Sequence, residues 1–179
     1  MFVQAILSSE PSTHQNTLLN ESIEYLFEIA STQLPEGDLS FNDLPQFNTI
    51  NVLRAIFRDA SLNNAVMQYV ERGVVLTING FSSPSWSIRN ASTQLLSTLV
   101  PRMLGQRLSQ EESSQQNTST IDVFFYRYPK LRTLFQQCLS EQATVMRGDA
   151  SETKILPHLI PVLIFLSKLR ASENDECKK

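Results

Sequence analysis

The sequence is poor in the residues from which catalytic and metal sites are usually built. Its 179 residues contain two histidines and two cysteines, Cys138 and Cys177. Two isolated cysteines provide neither a disulfide framework nor a zinc site, so we expect Cys138 to be a small core residue. There is no glycine-rich phosphate loop and no G-x-S-x-G nucleophile turn. We therefore predict that the chain is not an enzyme and binds neither a cofactor nor a metal.

Glycine is scarce, and the sequence has neither long apolar runs nor an excess of basic residues. The five glycines and the short β-branched runs favour helix over sheet. The formal net charge is −3, so any contact with RNA has to come from a local patch. The most apolar segment, residues 155–166, falls short of the roughly 20 residues that cross a bilayer. Because the N-terminus also has no basic region of the signal-peptide kind, we predict a cytosolic protein without a membrane partner or a small-molecule substrate.

Apolar residues at helical spacing are what the sequence does contain, most clearly in residues 81–104. One stripe there, at steps of three and four, consists of Ile88, Ala91, Leu95, Leu99 and Met103. The small Ala91 in this stripe would let a neighbouring helix come close. Ser82 or Ser83 is predicted to cap this central helix, with Pro84 in its first turn. Pro101 is predicted to kink or end it.

Similar stripes predict helices on both sides of the central one. The helix before it should start at Ser61 or Asn63, and Asn79 and Gly80 should close it, because both tolerate a left-handed cap. Two earlier and three later stripes predict further helices, the last one over residues 155–169. Helices joined by short links pack as antiparallel neighbours, and successive pairs form a solenoid. We therefore predict an all-α, HEAT/armadillo-like helical-repeat (α-solenoid) fold.

One composition break interrupts this pattern. Residues 105–120 are rich in Ser, Gln and Asn and have no apolar periodicity, which predicts a flexible polar loop. Because helical patterning resumes directly afterwards, we interpret the loop as an insertion within a single helical-repeat segment, 1–179. The polar residues 171–179 predict a disordered tail.

Four arginines, Arg54, Arg58, Arg89 and Arg102, are the candidate interaction residues. Arg54 and Arg58 are one helical turn apart, and like charges at that spacing cost roughly a few tenths of a kcal/mol unless an anionic group faces them. They either pair with acids such as Asp59 or form a basic ridge for a phosphate or an acidic partner. In a HEAT-like stack, Arg89 would pair with an acid of the adjoining repeat.

A second basic region combines arginine with aromatic residues. It contains Tyr126, Arg127, Tyr128, Lys130, Arg132 and Phe135. Aromatics interleaved with arginines can bind single-stranded RNA by stacking and charge, provided that the basic surface is contiguous. Alternatively, the aromatic residues belong to the core and the basic residues form a solvated face.

Several stretches resemble consecutive parts of the thyroid adenoma-associated protein (THADA) family. They are N-V-L-R-A-I-F-R-D-A-S-L at 51–62, G-F-S-S-P-S-W-S-I-R-N-A-S-T at 80–93 and D-V-F-F-Y-R-Y-P-K-L at 122–131. The opening F-V-Q-A-I-L-S-S-E-P at 2–11 is similar to the same family. The resemblance keeps this order and covers most of residues 2–139.

This resemblance implies a large helical-repeat scaffold that binds a tRNA ribose 2′-O-methyltransferase and directs it to the anticodon loop of certain tRNAs. The methyltransferase would carry the methyl donor and the catalytic residues, the scaffold would position it, and any contact of the scaffold with tRNA would be indirect. Family members are far longer and have an Arg-Arg-Ser-Ala-Gly signature just upstream of the matching segment, so we expect a fragment of a larger solenoid. The helix pattern by itself fits a second hypothesis, a general protein–protein interaction solenoid such as a trafficking or assembly adaptor.

Overall fold

The computed structural model describes residues 17–32, 44–104, 120–148 and 155–171. Its helices are α1 (Thr17–Ala30), α2 (Leu44–Arg58), α3 (Asn63–Val66), α4 (Val70–Phe81), α5 (Trp86–Leu104), α6 (Ile121–Arg127), α7 (Pro129–Gly148) and α8 (Leu159–Leu166). Apart from one isolated bridge between Thr120 and Arg170, the described ranges contain no β-structure. The predicted all-α class is therefore confirmed. None of the helices in these ranges is long and apolar enough to cross a membrane.

The chain divides into two compact units, Met1–Leu99 and Val100–Lys179, and the division falls within α5. This division does not test whether the helices continue one repeat array, so the single helical-repeat segment over 1–179 stays a prediction. Residues 105–119 of the predicted loop and 172–179 of the predicted tail lie outside the described residues.

In the first unit, α1 and α2 pack together through their apolar stripes. The buried residues are Leu19, Ile23, Phe27 and Ala30 on α1 and Ile50, Leu53, Ile56 and Phe57 on α2. The end of α1 is closed by Gln46 of α2, whose Nε2 donates to the carbonyl oxygen of Ala30 at 2.6 Å and to that of Thr32 at 3.1 Å. The bond to Ala30 satisfies a carbonyl group that the helix end leaves without an intrahelical partner, and the bond to Thr32 holds the residues that follow the helix.

The helix predicted to run from residue 61 or 63 to residue 80 is interrupted. The structure ends α3 at Val66, inserts a 3₁₀ turn over Met67–Tyr69 and begins α4 at Val70. The turn places Gln68 and Tyr69 against α1, where both donate to Oδ1 of Asn20, at 3.2 and 3.1 Å. The prediction of one continuous helix was wrong because these polar partners lie about fifty residues apart in the sequence, beyond the reach of a local apolar pattern.

The stripe of the central helix α5 is confirmed, since all five of its residues are buried. The predicted cap is wrong by two or three residues. The Oγ of Ser85 accepts from the N–H of Ile88 at 3.4 Å, and Ser83 instead accepts from the N–H of Ser85 at 3.2 Å. Pro84 therefore precedes the helix, which continues through Pro101 and ends at Leu104.

An aromatic cluster organises the second unit. The ring centroid of Phe124 lies 5.3 Å from that of Tyr128, 6.4 Å from that of Phe135 and 5.8 Å from that of Phe165, so one ring of α6 contacts both α7 and α8.

The last helix is shorter than predicted, because α8 occupies only Leu159–Leu166. Cys138 is buried as predicted. Burial raises the pKa of its thiol, with a smaller contribution from the nearby Glu141 carboxylate.

Candidate functional site

The candidate site in the first unit is built around the close approach of α4 and α5. A Cβ atom at position 80 would lie 2.0 Å from the Oγ of Ser92 and 2.9 Å from its Cβ. Gly80 is buried inside α4, so its predicted role as a left-handed helix cap is wrong. Its missing side chain allows the two helices to approach. The small residue that meets Gly80 is Ser92, whereas Ala91 is buried elsewhere in the stripe.

Arg89 closes the turn between these two helices. Its Nη1 donates to the carbonyl oxygen of Ser83 at 2.8 Å and to that of Pro84 at 2.7 Å. The expected pairing of Arg89 with an acid of an adjoining repeat is therefore not what the structure shows. By holding the turn, Arg89 fixes the start of α5, where the Trp86 side chain is 69 % exposed.

Arg54 is oriented by a neutral side chain. Its Nη1 donates to Oε1 of Gln94 on α5, and its Nε is buried without a hydrogen-bond partner. Asp59, which we considered as an acidic partner, accepts instead from the backbone N–H and the hydroxyl of Ser61 at 2.7 and 2.5 Å. Among the described contacts, Asp59 therefore does not pair with Arg54 or Arg58.

Arg58, one turn after Arg54, is exposed at the end of α2. Within the described ranges, its side chain makes no hydrogen bond or ion pair. Arg54 and Arg58 together form a pair of cations that no carboxylate of the described residues neutralises. We call them the α2 arginine pair.

Arg102 lies in the second unit and is described separately. It is partly buried in the last turn of α5, a position where a positive charge interacts favourably with the helix dipole. The four predicted arginines thus have different environments. Arg89 holds a turn, Arg102 lies at a helix end, and only the α2 arginine pair consists of neighbouring cations.

The aromatic and basic region of the second unit contains both core and surface residues. Tyr128 and Phe135 are buried, as the core interpretation predicted. Tyr126 is 90 % exposed, and Arg127 and Arg132 are exposed as well. The core interpretation is therefore correct for Tyr128 and Phe135 but not for Tyr126, and RNA binding by this region stays a prediction.

Two family models match the chain, and together they cover almost all of it. The model described as "THADA/TRM732, DUF2428" matches residues 1–87, and the model described as "Trm732, C-terminal TPR repeats" matches residues 89–179. The chain belongs to the THADA/Trm732 family. TPR repeats are stacked helix–turn–helix units, so the match over residues 89–179 agrees with the helices α6, α7 and α8 of the structure.

Curated relatives of the THADA/Trm732 family share a name with a stated role. The chicken and human proteins named "tRNA (32-2'-O)-methyltransferase regulator THADA" are 37 % and 34 % identical to the chain over 174 residues, which are 97 % of the chain and 9 % of each relative. The fission yeast regulator trm732 is 27 % identical over 159 residues, 87 % of the chain and 10 % of the relative. The chain spans about a tenth of the length of these relatives. Their names describe regulators of a methyltransferase, not methyltransferases, and no solved structure matches the chain significantly.

Proposed function

We propose that the chain is a non-catalytic adaptor segment that supports ribose 2′-O-methylation in the tRNA anticodon loop by binding a methyltransferase. The observation that carries this proposal is the similarity, over 87–97 % of the chain, to proteins named as regulators of a tRNA (32-2'-O)-methyltransferase. In this proposal the methyltransferase holds the methyl donor and the catalytic groups. The adaptor acts in the cytosol and contributes positioning, which lowers a reaction barrier by holding reactants in a productive geometry.

The α2 arginine pair is the surface that we propose for this contact. Arginine is enriched among the residues that dominate binding energy at protein interfaces. Gln94 holds the guanidinium of Arg54 in place, so less side-chain freedom would be lost when a carboxylate of the partner binds. Arg58 is exposed and forms no ion pair with a carboxylate of the described residues. Both features suit an acidic surface on the methyltransferase.

The test is the affinity of the complete chain for a purified tRNA ribose 2′-O-methyltransferase, measured by titration calorimetry. We expect the Arg58→Glu variant to raise the Kd about tenfold, since losing a charged contact at an interface costs on the order of 1.4 kcal/mol or more. The Arg54→Glu/Arg58→Glu variant should weaken binding further. The matched control is Arg147→Glu/Lys168→Glu, which reverses two exposed charges of the second unit.

Circular dichroism of each variant separates an interface from a structural role. Full helicity with weakened binding supports the proposed surface, whereas loss of helicity in the Arg58→Glu variant would show that this arginine is structural. Equal affinities of the wild type and the Arg58→Glu variant would exclude the α2 arginine pair as the contact. If the chain does not bind the methyltransferase at all, the adaptor proposal fails and the general protein–protein interaction solenoid takes its place.

A further inference from the structure

The corner between α6 and α7 carries the most exposed large aromatic residue of the described ranges. Tyr126 lies in the last turn of α6 and is 90 % exposed. Arg127 follows it directly, and Arg132 lies near the start of α7, and both are exposed. In the described part of the chain, none of these three side chains makes a hydrogen bond, an ion pair or a ring contact. We call them the α6–α7 corner.

The helix that carries Tyr126 is firmly held without it. Phe124 packs in the aromatic core, and the backbone N–H of Ile121 donates to the carbonyl oxygen of Arg170 at 2.9 Å. The Thr120 side chain accepts from the N–H of Val123 and caps the helix. Tyr126 therefore takes no part in the core, and its ring is presented to solvent from a supported helix.

Basic residues outnumber acidic ones around the corner, although Asp122 lies in the first turn of the same helix, one turn before Tyr126. Residues 123–140 contain three basic residues and no Asp or Glu, although the whole chain has a formal net charge of −3. Exposed Tyr25 on α1 has more acidic surroundings, since Glu21, Glu24 and Glu28 share its helix. A polyanion would therefore be attracted to the corner despite the overall negative charge.

We propose that the α6–α7 corner binds single-stranded RNA, with a base stacked on the Tyr126 ring and phosphates contacted by Arg127 and Arg132. An exposed aromatic ring beside arginines is the arrangement that binds single-stranded nucleic acid without strong sequence preference. An acidic peptide would use the two charges but would leave the ring without a role, so the 90 % exposure of Tyr126 favours RNA. This contact goes beyond the proposed adaptor role, because it gives the chain its own contact with RNA.

The experiment measures binding of a fluorescein-labelled single-stranded oligouridylate of about ten nucleotides, a length within the site sizes of such proteins, to the complete chain by fluorescence anisotropy. Oligouridylate has little structure of its own that would compete with stacking on the protein. We expect Tyr126→Ala to raise the Kd about tenfold and Tyr126→Phe to keep it within about twofold, since stacking of a base on an aromatic ring is worth about 1–3 kcal/mol. Tyr25→Ala is the matched control and should leave the Kd unchanged.

The salt dependence tests the two arginines separately. Each phosphate contact on a single strand contributes about 0.7 to the slope of log K against log salt concentration, so Arg127→Gln/Arg132→Gln should lower the slope by about 1.4. The control Arg147→Gln/Lys168→Gln should leave it unchanged. Circular dichroism shows whether each variant keeps its helices. Tyr126→Phe keeps the ring, so it shows whether a substitution at this position by itself weakens binding.

Three results would overturn this proposal. One is a wild-type chain that does not bind the oligonucleotide at about 0.1 M salt, where exposed charges still act over about 10 Å. Another is an equal Kd for the wild type and Tyr126→Ala. The third is polyglutamate that displaces the RNA and binds Tyr126→Ala as tightly as the wild type, which would indicate a surface for acidic peptides. Because the methyltransferase titration contains no RNA, failure here is distinguishable from failure of the adaptor proposal.

Discussion

At Gly80 the separation of two helices depends on a single missing methyl group. Gly73 is a natural comparison, because it lies in the same helix and faces the same neighbour. A Cβ at position 73 would meet the Cδ1 of Leu99 at 3.0 Å, the far end of a flexible side chain, whereas a Cβ at position 80 would meet Ser92 at 2.0 Å. The two glycines therefore differ in what surrounds them, although both lie in α4.

We expect Gly80→Ala to lower the free energy of unfolding by about 1–2 kcal/mol. Overpacking of a filled contact costs typically about 1–3 kcal/mol, and the better helix propensity of alanine offsets up to about 1 kcal/mol of that cost. Gly73→Ala should change it by less than about 0.5 kcal/mol, since the Leu99 side chain can move while the same propensity gain applies. Urea unfolding followed by circular dichroism measures both. Equal losses for the two variants would contradict the close approach at Gly80.

At the scale of a helix, α8 shows how an apolar segment divides between core and surface. Leu159, Val162 and Phe165 are buried, whereas Ile160 and Leu163 are 47 % and 48 % exposed. The sequence of this helix is apolar on every face, so periodicity could not indicate which side packs against the core. The buried side of α8 is the one that carries Phe165, whose ring contacts the rings of Phe124 and Phe135.

Substitutions on the two sides of α8 should therefore have unequal effects. Phe165→Ala removes a fully buried ring from the aromatic cluster and should lower the free energy of unfolding by about 3–5 kcal/mol. Leu163→Ser should change it by less than about 1 kcal/mol, because the side chain is already half exposed. Chemical denaturation of both variants measures the free energy of unfolding. A comparable loss for Leu163→Ser would show that the Leu163 side of α8 packs against other residues.

At the scale of the whole molecule, membership of the THADA/Trm732 family agrees with the scarcity of catalytic residue types. The relatives are named as regulators, and the sequence has no glycine-rich loop of the kind that binds nucleotides. Under the proposed adaptor role, interaction surfaces are the features through which the chain would act. Those proposed here, the α2 arginine pair and the α6–α7 corner, lie in different compact units and can be tested independently.

We expect the isolated chain to transfer no methyl group to tRNA. Incubation with labelled S-adenosylmethionine and tRNA should incorporate no more label than a heat-denatured sample, because the proposed role leaves the donor and the catalytic groups with the partner enzyme. The partner methyltransferase, assayed alongside, is the positive control. Incorporation by the chain alone that persists after repurification would refute the non-catalytic proposal.

The helical elements were predictable because each of them leaves a local pattern. The predicted apolar stripe of α5 is buried at every position, and the sequence indicated the basic residues around Tyr126 as a candidate surface. The errors concern long-range contacts. The 3₁₀ turn at Met67–Tyr69 depends on Asn20, and the role of Gly80 depends on Ser92. Gln94 was missed as the partner of Arg54 because a glutamine on a helix surface has no distinctive sequence signal.

The sequence by itself determined the all-α class, the buried stripe of the central helix and the family, because apolar spacing and motif order are properties of the chain alone. Only the tertiary structure decided which of the candidate side chains are available for binding. Arg89 is occupied by two carbonyl groups, Arg54 is oriented by Gln94, and Tyr126 is exposed while Tyr128 is buried. The physical reason is that hydrogen bonds and burial depend on which helix faces pack together, and that packing joins residues far apart in the sequence.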